Sequence, residues 1–102
     1  MKKRLYTLTR NDLTTGQKRA QSSHALAQYI IDYQPHLTNE WNNDYIIHLE
    51  LGSEKSLKRW INRFEKEGRK FSYFKEPDLN HEITSIAIIE NENLFRGIPL
   101  LK

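Results

Sequence analysis

The 102-residue chain contains no cysteine. Disulfides, thiolate metal sites and cysteine nucleophiles are therefore excluded. Glycine is scarce, with four residues scattered along the chain. No phosphate loop can be built from them, and Gly16-Gln17-Lys18-Arg19 lacks the Walker spacing. A Gly-x-Ser-x-Gly elbow, which would present a serine nucleophile, is also missing. The four histidines, His24, His36, His48 and His81, have no partner at short-range ligand spacing. No metal and no cofactor are expected from that pattern. No stretch approaches the roughly eighteen apolar residues of a membrane-spanning helix, so no membrane partner is expected. Met1-Lys2-Lys3-Arg4 is basic, but the Tyr6-Thr7-Leu8-Thr9 that follows is too polar and short for a signal-peptide core. A cytoplasmic location is the expectation.

What is present fits one ordinary domain: 37% apolar residues, 28% charged residues and a net charge of +3. The charge is unevenly spread. Between Lys55 and Lys75 stand Lys55, Lys58, Arg59, Arg63, Lys66, Arg69, Lys70 and Lys75, opposed only by Glu65 and Glu67. Such an excess is the footprint of a polyanion-binding surface; a solvated helix face is the plainer alternative.

Hydrophobic patterning divides the chain. Arg4 to Thr9 alternates as a short strand. Arg10 to Gln17 is a polar loop. Gly16 to Tyr33 reads as a helix with Ala20, Ala27 and Ile31 on one face and Ser22, Leu26, Tyr29 and Tyr33 on the next, stopped by Pro35. His36 to Asp44 is a polar loop whose one large apolar side chain is Trp41. Tyr45 to Leu51 is an apolar strand ended by Gly52. Ser53 is an N-cap, Glu54 suits a first helical turn, and Leu57, Trp60, Ile61 and Phe64 form an amphipathic stripe closed by Gly68. Lys70 to Phe74 is a third strand and Glu76 to Asn80 a turn. Ile83 to Ile89 is a fourth strand, and Asn91 to Lys102 holds one helical turn and a tail. The order β-α-β-α-β-β predicts an α/β fold with parallel pairing among the first three strands. The short link before the fourth allows it to be antiparallel or non-adjacent. The expected core is Leu8, Leu26, Ile30, Ile47, Leu49, Leu57, Trp60, Ile61, Phe64, Ile86 and Ile88.

Candidate chemistry gathers at the first strand–helix junction, in Asp12, Gln17, Lys18, Gln21 and His24. Ligands in open α/β sheets bind at the carboxyl ends of strands. Gln21 and His24 are three apart and share a helix face. Asp12, on the loop above, is placed to orient an imidazole. Alternatively, His24 is a buried helix residue bonding a carbonyl. Glu76, Asp78 and Thr84 flank the start of the fourth strand. The two acids read as a cap and a turn former, or as part of the Asp12 pocket if the fourth strand lies beside the first.

These segments carry a family resemblance. Arg10-Asn11-Asp12-Leu13, Gly16 and Ala20-Gln21-Ser22-Ser23-His24-Ala25 resemble the signature of the type II peptidyl-tRNA hydrolases, and the later elements are matched over nearly the whole chain. Gln17 stands where the family usually has a lysine, with Lys18 one residue on, and either Glu76 or Asp78 matches the family's aspartate. The resemblance implies a three-layer α/β/α sandwich around a four-stranded mixed sheet, with three parallel strands and one antiparallel, often dimeric. It implies hydrolysis of the ester joining a peptide to tRNA. In that scheme the catalytic residues are Asp12, Lys18, Gln21, His24, Asp78 and Thr84: Asp12 or Asp78 orients or activates water, Lys18 or Gln21 stabilises the oxyanion, and His24 shapes the pocket. Arg10, Gln17, Arg19, Lys58, Arg63 and Lys70 hold the tRNA. The alternatives are a non-catalytic tRNA- or RNA-binding module of the same fold, and a protein-interaction domain using Trp41 and an exposed sheet edge or helix face.

Overall fold

A computed structural model describes residues 3–34, 37 and 40–102. The elements are β1 (Arg4–Arg10), α1 (Thr15–Tyr33), β2 (Ile46–Leu51), α2 (Glu54–Lys66), β3 (Phe71–Glu76) and β4 (Glu82–Glu90), in the expected order. Single 3-10 turns follow β3 and β4, at Pro77–Leu79 and Glu92–Phe95. Local sequence sets the helix ends. At α1 the Thr14 hydroxyl accepts from the Gln17 amide at 3.1 Å while Gln17 Oε1 accepts from the Thr14 amide at 2.9 Å. This reciprocal box satisfies two backbone donors that the first turn leaves free. At α2, Gly68 takes φ +66°, and the amides of Gly68 and Arg69 donate to Glu65 and Phe64. That is a Schellman ending, as Gly68 predicts. The expected stop at Pro35 lies outside the described residues, as does His36; α1 ends at Tyr33.

The sheet order is β2-β1-β4-β3. β1 pairs parallel with β2, while β4 pairs antiparallel with both β1 and β3. The expectation of parallel pairing among three strands is thus corrected to a single parallel pair. The reason is the link of Pro77 to His81. It is too short for a crossover, so β4 folds back against β3 as a hairpin and occupies the place beside β1.

Successive residues of β1 point to opposite faces. Tyr6 and Leu8 join Leu57, Ile61 and Phe64 of α2, with Leu49, Ile86, Ile88 and Phe95. Leu5 joins Ala25 and Tyr29 of α1, with Trp41, Ala87 and Ile89. The helices therefore pack against opposite faces of the sheet. Of the expected core, Leu8, Leu49, Leu57, Ile61, Phe64, Ile86 and Ile88 are buried, and Leu26, Ile30, Ile47 and Trp60 are half-buried. Each large side chain fully buried contributes about 1.5–3 kcal/mol.

Two expectations change. The buried face of α1 is Lys18, Gln21, Ser22, Ala25 and Tyr29. Ala20 and Ala27 are exposed, and Ile31 is 71% exposed. Trp41 is buried, with its indole N–H donating to the Tyr45 carbonyl at 2.8 Å, so it offers no docking surface. The tail beyond Phe95 lies along the outer edge of β2. The Glu50 amide donates to the Pro99 carbonyl at 3.0 Å, and the Leu101 amide to the His48 carbonyl at 2.9 Å. Covering an edge in this way removes a site of unwanted strand pairing. Among the described residues no helix is long and apolar enough to cross a membrane.

Candidate functional site

A β-bulge builds the site. Phe74 pairs with Ser85, but Lys75 pairs with Ile83, so Thr84 is an extra residue in β4. A bulge re-aims side chains. Ile83 joins the α2-side core, whereas Thr84 donates its hydroxyl proton to Gln21 Oε1 on α1. The neighbouring Ser85 hydroxyl meets Thr9 Oγ1 at 2.7 Å, on the same face. Gln21 Nε2 in turn donates to Glu76 Oε1 at 2.7 Å. A buried glutamine amide is thus held at both ends, by a threonine and a carboxylate. Both of its polar atoms are satisfied, as burial requires.

The carboxyl ends of β1 and β3 emerge at this end of the sheet, where the first turns of α1 face the Pro77–Leu79 turn. Gly16, Gln17, Ala20, Gln21, Glu76, Asp78 and Leu79 line a cleft of about 320 Å³ between them. Glu76 is the better-held acid. One of its oxygens takes the Gln21 amide, and the other lies 3.4 Å from the Asp78 backbone nitrogen. Asp78 is exposed at the rim. Between the two acids that the sequence leaves open, the geometry selects Glu76 as the carboxylate joined to α1. The loop closes through Asn80 and His81, both at positive φ (55° and 59°). For a histidine this backbone is strained.

The other candidates are dispersed. Lys18 does not line the cleft. Its ammonium is buried against Glu50 of β2 at 2.9 Å, with side-chain exposures of 10% and 7%. Asp12 also faces elsewhere. Arg10 grips it with two hydrogen bonds of 2.9 and 3.0 Å and reaches Glu82 at 2.7 Å. The Arg10 guanidinium holds the Asp12 carboxyl below its ordinary range, and the two acids hold Arg10 firmly protonated. No hydrogen bond joins Asp12 to His24 among the described residues. His24 is exposed and stacks on Phe74, with ring centroids 4.3 Å apart. Thr84 is fully buried behind Gln21 and acts through it. Gln17 does line the cleft. Its Oε1 is spent on the capping box, leaving Nε2 as a neutral donor.

The basic candidates also divide. Arg19 is exposed on α1. Lys58 and Arg63 lie on α2, across the sheet from Gln21 and Glu76. Lys70 precedes β3 at its other end, about 20 Å from Glu76 at the usual rise per residue. It lines a separate hollow with Lys3, Tyr29 and Arg69. There burial, with Glu40 nearby, pushes the Tyr29 hydroxyl up to about 12.

Sequence reasoning missed the polar floor beneath α1. Thr7, Thr9, Glu50, Ser72 and Ser85 are all buried, and Thr7 Oγ1 meets His48 Nδ1 at 2.6 Å. The signal was Glu50, a lone carboxylate in an apolar strand. A buried charge demands a partner, and Lys18 supplies it.

No protein-family model matches the chain, and no curated protein is similar to it. A solved structure of a protein of unknown function from Agrobacterium tumefaciens strain C58 is similar to it in fold. The match has a TM-score of 0.69 and 13% sequence identity, and covers 98% of each chain. At that identity the likeness shows a shared small α/β fold and nothing of activity.

Proposed function

We propose that the chain is a hydrolase of the ester between a peptide, or an N-blocked aminoacyl group, and tRNA. The supporting observation is the Glu76 carboxylate, fixed by Gln21 at the wall of a cleft at the carboxyl ends of β1 and β3. Gln21 and Glu76 also belong to the two segments that carry the family resemblance. In this reading α1, the sheet and α2 are the layers of an α/β/α sandwich. The protein works in the cytoplasm, and the resemblance adds a homodimer.

The chemistry follows from the cleft. A water held by the outward oxygen of Glu76 loses its proton to the carboxylate as it attacks the ester carbonyl. When the tetrahedral intermediate collapses, the ester C–O bond breaks and the Glu76 carboxyl returns that proton to the departing ribose oxygen. The developing oxyanion needs a donor. Lys18 is committed to Glu50, so that role falls to Gln17 Nε2, a neutral donor weaker than an ammonium. Asp78 at the rim orients substrate. Gln21 positions Glu76, and Thr84 positions Gln21. Asp12 stabilises the loop through Arg10.

The Lys18–Glu50 pair favours a second reading, a non-catalytic RNA-binding module of the same fold. Release of N-blocked aminoacyl groups from tRNA, with the protein in catalytic amounts, separates the two. Multiple turnovers that fall at least a hundredfold in Glu76→Gln, the lower scale of lost general-base catalysis, support the hydrolase. Retention of tRNA without release supports the module.

A further inference from the structure

The exposed side of α2 carries a pattern that the cleft does not use. At the helical repeat, Lys55, Arg59, Asn62 and Lys66 fall within about 60° of arc, with Arg63 at the margin. All are exposed. Arg59, Asn62, Arg63 and Lys66, with Glu67, frame a shallow groove of about 430 Å³. Arg63 is steadied over the Trp60 ring at 5.1 Å. Of the acids of α2 and its cap, Glu54 faces Lys58 at 3.7 Å and takes the Ile83 amide, Glu65 is exposed beside the stripe, and Glu67 at the groove's margin binds Arg63 and Arg69. Lys55, Arg59 and Lys66 are therefore the cations of the stripe that make no ion pair among the described residues.

The cleft end of the sheet has the opposite character. Asp12, Glu50, Glu76, Asp78 and Glu82 gather there, and Arg10 and Lys18 are both consumed by ion pairs. Backbone phosphates therefore find their unpaired cations on α2, and only the ester-bearing end of a tRNA need reach the cleft. The stripe is about 17 Å long at 1.5 Å per residue. A nucleic-acid strand carries a phosphate about every 3.4 Å of duplex axis, so the stripe faces about five of them.

We infer that Lys55, Arg59, Arg63 and Lys66 form a nucleic-acid backbone surface on the sheet face opposite the cleft. It binds phosphates without reading bases. The inference rests on the hydrolase reading only for the identity of the polyanion as tRNA. Arg10, Arg19 and Lys70 lie outside the surface.

The test measures binding of fluorescein-labelled, deacylated tRNA by anisotropy across a salt series. Deacylated tRNA has no ester, so failure of the hydrolase reading leaves the result intact. Arg59→Glu/Lys66→Glu is compared with Lys3→Glu/Arg19→Glu, which changes net charge equally on the α1 side of the sheet. The expected result is at least tenfold weaker binding for the α2 variant and near-parental binding for the control. The log–log salt slope falls by about two for the α2 variant, one for each lost phosphate contact. Equal losses in both variants, or parental binding by the α2 variant, overturn the inference, as does binding of poly-glutamate but not of tRNA by the parent. Circular dichroism of both variants checks that α2 remains folded.

Discussion

The Gln21 amide donates to the Glu76 carboxylate at 2.7 Å, joining the second turn of α1 to the last residue of β3 across 55 positions of sequence. Replacing Gln21 by Leu keeps the volume but leaves the buried Thr84 hydroxyl only the Phe74 carbonyl at 3.5 Å, and opens one oxygen of the half-buried Glu76 to the cleft. Poorly satisfied buried groups cost about 1–3 kcal/mol. A fall in Tm of roughly 4–8 °C per kcal/mol is expected. Gln21→Leu/Thr84→Val, which removes the hydroxyl as well, recovers part of the loss. Thermal melts of the two variants decide it.

Lys18 and Glu50 form the buried ion pair of the α1 floor. Lys18→Met leaves a buried carboxylate alone and should cost about 3–5 kcal/mol. Lys18→Met/Glu50→Leu, with both charges gone, should return to within about 1 kcal/mol of the parent or exceed it. Urea denaturation measures both. A double variant that still turns over ester substrate places the lysine in structure rather than chemistry.

His48 gives the fold a pH dependence. Burial holds its imidazole below the ordinary value of about 6.5. The unfolded chain therefore binds the proton first as pH falls. Stability is full above about pH 6.5 and declines below it, by at most about 1.4 kcal/mol per pH unit, until the folded imidazole also protonates. Denaturation midpoints between pH 7.5 and 5 should fall in the parent. His48→Gln should flatten that fall, and a fall of unchanged size would reject the assignment.

His81 sits at φ +59° in the loop beside the cleft. The left-handed region costs a side-chain-bearing residue about 1–2 kcal/mol, and glycine's extra backbone entropy returns about 0.5–1. His81→Gly should therefore be neutral to stabilising, by up to about 1.5 kcal/mol. Its Tm, with the hydrolysis rate beside it, shows whether the strain serves the site.

Helices, strands and their order were legible because most elements here are amphipathic in the ordinary sense. Leu57, Trp60, Ile61 and Phe64 name the buried stripe of α2 without help from tertiary structure. α1 was legible as a helix and misread in its rotation. Its buried face begins with Lys18 and Gln21, polar residues whose burial depends on Glu50 and Glu76, distant in sequence. Local periodicity cannot register such partners. For the same reason the sequence names Gln21 and Thr84 and leaves Glu76 and Asp78 as alternatives, while the bulge at Thr84 that joins Gln21 and Glu76 to β4 cannot be read from it. The place of β4 between β1 and β3 follows from the shortness of one turn, a constraint on topology that hydropathy does not carry.

The split underside of α1 has a mechanical consequence. Ala25 and Tyr29 rest on oil, while Lys18 and Gln21 before them are tied to Glu50, Thr84 and Glu76, and Asp32 and Tyr33 after them meet Ser72 and the Phe71 carbonyl. Apolar contact is adhesive and nearly indifferent to angle, whereas hydrogen bonds are directional. The apolar contacts keep the helix down; the hydrogen bonds key its azimuth, as a splined shaft is keyed in its collar. Damage to the apolar contacts should loosen α1 as a whole. Damage to the hydrogen bonds should leave it seated but turned, and Glu76 would then face the cleft without its Gln21 partner.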